Sequence, residues 1–161
     1  MNQISKTVLV FFLSSCVVFL CSMAASAAGH QAQNCLNTVP YSQLSGQQVN
    51  FPSALNNFDF YVDSTRATNH VDLIVDAGKF RKSTSAFSLE SGEIVKLNFI
   101  YSPQNASPQV GLVGPDGVFR YVSGANGSIQ KNIIISKTGN YYLAFQNNSN
   151  VSVQIMGFVY Y

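Results

Sequence analysis

The most regular pattern in this 161-residue chain lies at residues 94–101. Val95, Leu97, Phe99 and Tyr101 alternate with Lys96 and Asn98. A strand projects successive side chains to opposite faces, so this alternation predicts a strand with one face buried and one in water. Further stretches suggest strands at 58–62, 71–75, 86–89, 109–113, 118–122, 129–135, 141–146 and 151–159. Turn chemistry separates them. Glu90-Ser91-Gly92-Glu93 is a tight turn by composition, and Pro115-Asp116-Gly117 presets one φ with proline and permits a positive φ with glycine. Asn126-Gly127 marks another hairpin. About eight strands at short spacing, with no amphipathic helix, predict an all-β fold, an antiparallel β-sandwich or jelly roll.

The first part of the chain has a different texture. Lys6 carries one positive charge, residues 7–20 are almost wholly apolar, and Ala25-Ser26-Ala27 supplies small residues in an A-x-A pattern. That order predicts a secretory signal peptide over residues 1–27, cut before Ala28. A membrane-spanning helix needs roughly 20 apolar residues, and Ser14, Ser15, Cys21 and Ser22 interrupt this run near that limit. Leu13-Ser14-Ser15-Cys16 resembles a bacterial lipobox, which would anchor the protein by a lipid on Cys16. Against it, cleavage there would leave an apolar start to the mature chain. Residues 28–56 are rich in Gln, Asn and Ser and lack a sustained period, so they read as a polar linker or loosely ordered arm, with a short strand near 48–51. The β-sandwich domain is expected over 57–161, with no stable membrane span once the signal is removed.

Removing the signal leaves roughly 130 residues, enough for one domain with its own core. Charged residues make up 10% of the chain and nearly balance, which does not fit a nucleic-acid binder with a basic face. Aromatic and β-branched residues are too abundant for a disordered chain. Cleavage would leave Cys35 as the one cysteine, which makes neither an internal disulfide nor a Cys-ligated zinc site unaided.

Gly111-Leu112-Val113-Gly114-Pro115-Asp116-Gly117 and Thr138-Gly139-Asn140-Tyr141-Tyr142-Leu143-Ala144-Phe145 carry a family resemblance. Together with Phe87-Ser88-Leu89, Gly92 and Val95-Lys96-Leu97, they resemble bacterial pre-peptidase C-terminal modules over about residues 86–160. The resemblance implies a secreted jelly roll that aids binding or solubility. Modules of that family are usually appended to exported enzymes, whereas no enzyme is expected in this chain.

No catalytic, cofactor-binding or metal-ligating residues are expected from the sequence. His30 lies in the expected arm, and His70 lies in a polar segment near Asp63 and Asp72. No nucleophile elbow accompanies them, and no phosphate-cradling glycine loop opens a helix. Asp59, Asp63, Asp72 and Asp76 are close in sequence, but no Asp-x-Asp-x-Asp loop of the calcium type is present. A solvated strand face is the expected role. Lys79-Phe80-Arg81-Lys82 is a basic cluster that could meet an anionic polymer, although such a run is usually a solvated hairpin flank. Eight tyrosines are present and tryptophan is absent, which weakens a lectin-type stacking platform. Asn105, Asn126, Asn147 and Asn150 match the glycosylation triplet, which Asn-rich turns generate by chance.

Two function classes fit these features. The first is a secreted, non-catalytic binding or surface-interaction domain for an extracellular protein, cell-wall polymer or carbohydrate. The alternative is a secreted effector: a toxin, an antimicrobial protein or an inhibitor of an extracellular enzyme. A structural role in a surface layer is third.

Overall fold

A computed structural model describes residues 37–49, 60–63, 65 and 67–161. The expected signal peptide, Cys16, His30, Cys35 and Asp59 lie outside the described residues. The described chain is an all-β sandwich of eleven strands in two sheets. In chain order they are β1 (Thr38–Pro40), β2 (Ser45–Gln48), β3 (Thr68–Val75), β4 (Phe80–Lys82), β5 (Phe87–Leu89) and β6 (Ile94–Ser102). Then come β7 (Gln109–Val113), β8 (Val118–Ser123), β9 (Ser128–Ile134), β10 (Gly139–Gln146) and β11 (Val153–Tyr160). One sheet has the order β1-β9-β6-β11-β3, and the other has β2-β8-β7-β10-β4, with β5 also paired to β10. Every pairing is antiparallel except β1 with β9.

The core forms where the two sheets face each other. Leu73, Val75, Leu97, Phe99 and Ile155 of the five-stranded sheet meet Val110, Leu112, Leu143 and Phe145 of the other. The rings of Phe99 and Phe145 pack edge to face across the gap at 5.5 Å. The alternation of β6 appears as expected, with Val95, Leu97, Phe99 and Tyr101 buried and their neighbours exposed. The Pro115-Asp116-Gly117 turn closes the β7–β8 hairpin with Gly117 at φ +71°. Asn126 and Gly127 both take positive φ, the conformation that an Asn-Gly hairpin requires.

The structure corrects three expectations. Residues 38–48 do not form a loose arm. They supply β1 and β2, one to each sheet, and Tyr41 between them is buried in the core. These strands are too short and polar to show a period, and pairing with β9 and β8 holds them instead. The strand expected over 58–62 is a single bridge, Phe60 with Ser83, among the described residues. The basic run at Lys79 contains β4, whose pairing with β10 carries it. Asn147 is fully buried and spends its amide on the Val75 and Val151 carbonyls, so in the folded state it is closed to glycosylation.

Candidate functional site

Strand alternation places Thr68, His70, Asp72 and Ile74 on the outer face of β3, away from the core. Register then fixes their neighbours. His70 pairs with Phe158 of β11, and Phe158 pairs with Asn98 of β6. Asp72 pairs with Met156, which pairs with Ile100. The resulting surface exposes Ile74, Ile100 and Phe158 at 57%, 56% and 39%. It carries little charge, because Asn98, Gln130 and Gln154 fill most of its polar positions. A depression of about 420 Å³ adjoins it, with Ile100 and Met156 among its walls and the amides of Gln104, Asn126 and Gln154 around them.

The sequence candidates fall partly on this surface. The His70 ring packs on Phe158 at 5.0 Å. Gln154 donates to the Asp72 carboxylate at 3.2 Å. Asp63 instead accepts from the backbone and hydroxyl of Thr65, and Asp76 accepts from Ser152. The acidic residues are therefore dispersed, and no group of three metal-ligating side chains forms among the described residues. The basic run is also divided. Arg81 donates to the Ile74 carbonyl, while the Lys82 amine lies 3.6 Å above the Tyr142 ring, where burial lowers its pKa. The apolar members of the surface, Ile74, Ile100, Met156 and Phe158, went unread in the sequence. Their signal was the break in alternation where apolar residues occupy outward positions.

A second feature lies at the β7–β8 turn. A cleft of about 250 Å³ opens among Tyr41, Asp116, Arg120, Lys137 and Tyr141. The Tyr41 hydroxyl donates to the carbonyls of Val118 and Leu112 at 3.0 and 3.3 Å. Burial pushes its pKa up to about 12, against the lowering effect of Arg120. Arg120 lies over the Tyr41 ring at 4.7 Å and pairs with Asp116 at 2.7 Å. Burial alone would raise the Asp116 carboxyl, but hydrogen bonds from Arg120 and the Val118 amide outweigh it and hold the pKa below its ordinary value. The guanidinium is thus engaged internally, and the group acts as a latch that fixes the end of the sandwich.

No protein-family model matches the chain, and no curated protein matches it by sequence. The likeness of residues 86–160 to pre-peptidase C-terminal modules therefore remains an expectation from the sequence. Among solved structures the chain is similar to the crystal structure of Aeromonas hydrophila PliG, a periplasmic lysozyme inhibitor of g-type lysozyme. The two share 9% identity with a TM-score of 0.39, over 77% of this chain and 95% of that one. A likeness at this level assigns neither function nor partner. No helix among the described residues is long and apolar enough to cross a membrane.

Proposed function

We propose that this chain is an exported, non-catalytic binding domain whose partner is an extracellular protein. The observation that carries this reading is the outer face of the five-stranded sheet, where Ile74, Ile100, Met156 and Phe158 form an apolar surface among amides. Protein interfaces are depleted of charge at their centres and enriched in aromatic residues and Met. A small-molecule site is concave and encloses its ligand, whereas this face is an open sheet. The adjoining depression would take one side chain of the partner, with its amides satisfying polar atoms at the rim. Export is supported by the apolar run and small-residue tail of residues 7–27.

The test begins with the exported product, cross-linked to extracellular proteins and then titrated against each identified partner. The titration panel includes secreted hydrolases, a g-type lysozyme among them, with peptidoglycan and soluble glycans run alongside. Ile100→Asp and Phe158→Asp should each weaken binding to an identified protein about tenfold or more while leaving the folded spectrum intact. Inhibition of a hydrolase that fails in Ile100→Asp would make that partner an enzyme. Binding confined to glycans would overturn the reading, as would turnover of any substrate that is lost in His70→Ala or Asp72→Asn.

A further inference from the structure

We infer that β3 is a self-complementary edge that pairs antiparallel with β3 of a second copy, around a twofold axis at Val71. The phase of the β3–β11 ladder is fixed by one bond. The Tyr161 amide donates to the Ala67 carbonyl at 3.0 Å. In an antiparallel ladder the residues that exchange hydrogen bonds alternate. Residues 69, 71, 73 and 75 therefore bond to β11, and the backbone groups of Thr68, His70, Asp72 and Ile74 point away from the sheet. The Ile74 carbonyl receives Arg81 at 3.5 Å. Among the described residues, nothing pairs with the outward backbone of His70 or Asp72.

An open edge is a template for another strand, and proteins blunt such edges when they are not used. The other edges here are blunted. β1 has three residues and ends on Pro40, and β2 has four. β4 has three, and the chain continues into Ser83, which bridges Phe60. Beyond β1, the rest of β9 carries Lys131 at an inward position, opposite Leu97. β3 alone among these edges runs eight residues, and no lysine or proline interrupts it.

The side chains that face each other across the axis then select the register. With Val71 opposite Val71, Asp72 of each copy faces His70 of the other, and Ile74 faces Thr68. The outward backbone groups of His70 and Asp72 meet in reciprocal pairs, while the Ile74 carbonyl, opposite Thr68, keeps Arg81 as a second donor. Sliding the copies until Asp72 faces Asp72 opposes like charges, which is unfavourable for directly opposed residues. Sliding them the other way sets Asp72 against Thr68 and His70 against His70, which gives up both contacts between an imidazole N–H and a carboxylate. A one-residue slip would set outward backbone groups against groups already bonded within each sheet. The favoured register is isologous, so the assembly closes as a dimer and does not propagate. It would join the two outer faces into one continuous surface. This inference does not rest on the partner reading, because it uses the edge of the sheet and not the patch around Ile100.

Sedimentation equilibrium on the exported protein tests it. The wild type should show a monomer–dimer equilibrium. His70→Asp sets a second carboxylate against Asp72 of the other copy, twice per dimer, and should raise the dissociation constant about tenfold or more. The double variant His70→Asp with Asp72→Lys sets a carboxylate against an amine in both pairs and should restore the dimer. Ile100→Asp should leave it in place. Hydrogen exchange supplies a second readout, with the amides of His70 and Asp72 protected in the dimer and fast in dilute monomer. Both side chains are exposed, so each variant should fold. A protein that stays monomeric at every concentration overturns the inference. So does a dimer that ignores His70→Asp, or one in which those amides exchange freely.

Discussion

Phe119 and Phe158 both project from the outer face of a sheet, yet Phe119 is fully buried and Phe158 is 39% exposed. Around Phe119, the outer side of the six-stranded sheet holds a second apolar cluster with Val113 and Ala144, flanked by Phe80, Tyr121 and Tyr142. The Phe80 ring meets Phe119 edge to face at 5.1 Å, and Tyr121 stacks on it at 5.3 Å. Around Phe158, the five-stranded sheet offers His70 and Tyr160 and then solvent. One outward aromatic is thus part of the architecture, and the other is left partly open to solvent. The difference teaches that outward apolar residues on a strand are a functional signal only where no neighbouring aromatic cluster absorbs them.

Substitution of these two residues should break the comparison most sharply. Phe119→Ala removes a buried ring from a packed cluster and should cost about 3–5 kcal/mol of stability. Phe158→Ala should cost no more than about 1 kcal/mol, because the ring keeps much of its contact with water. Its effect should appear in partner affinity instead. Urea unfolding of both variants checks this, and equal costs would erase the distinction between the closed and the open face.

Much of the sandwich was legible in the sequence, for reasons visible in individual strands. β6 spans Ile94–Ser102 against an expectation of 94–101, because its alternation matches its burial residue by residue. The β7–β8 and Asn126-Gly127 turns were legible because their backbone conformations demand those residue types. β1, β2 and β4 were not, since three or four residues show no period and their stability comes from distant partners. The site was half legible. His70 was expected in a polar segment ahead of a strand at 71–75, and it shares a face with Asp72 because β3 starts at Thr68. Phe158 and Met156 come from the far end of the chain, and only the β3–β11 register brings them alongside. Tyr41 likewise fell in the stretch expected to be a polar arm, although its hydroxyl ties the β1–β2 connection to β7 and β8.

That tie gives a smaller and pH-dependent contrast. The folded pKa of Tyr41 lies near 12, above its ordinary value of 10.0. The folded state therefore keeps a proton that the unfolded state releases. The stability this contributes is full below pH 10 and is lost as pH rises through about 12. Burial also raises Tyr141 and Tyr161, so they share the alkaline loss. Tyr41→Phe should be less stable near neutrality by about 1 kcal/mol, from the lost hydrogen bonds, and its stability should fall less steeply above pH 10. Phe158→Ala should follow the wild-type slope. Thermal melts from neutral to alkaline pH check both, and parallel slopes for wild type and Tyr41→Phe would remove Tyr41 from the account.

The smallest expected effect concerns the neighbours Ile100 and Tyr101, whose environments are inverted. Ile100 places an apolar side chain in water on the open face, while Tyr101 carries a hydroxyl into the core. That hydroxyl is buried and has no hydrogen-bond partner among the described residues. Its ring is confined on the side of Gly124, where a Cβ would stand 2.5 Å from the ring, so the side chain has little room to swing toward an acceptor. A buried polar atom without a partner costs about 1–3 kcal/mol, whereas an apolar atom of similar shape avoids that cost. Tyr101→Phe keeps the ring and removes the oxygen, giving up some contact as it relieves the desolvation. The two should nearly cancel, leaving stability unchanged or raised by up to about 1 kcal/mol. Ile100→Thr, on the opposite face of the same strand, should also leave stability nearly unchanged while lowering affinity for the partner. Urea unfolding of Tyr101→Phe measures the first effect. A loss of more than about 1 kcal/mol would mean that the hydroxyl is bonded in solution, and the inversion between these two residues would then belong to Ile100 alone.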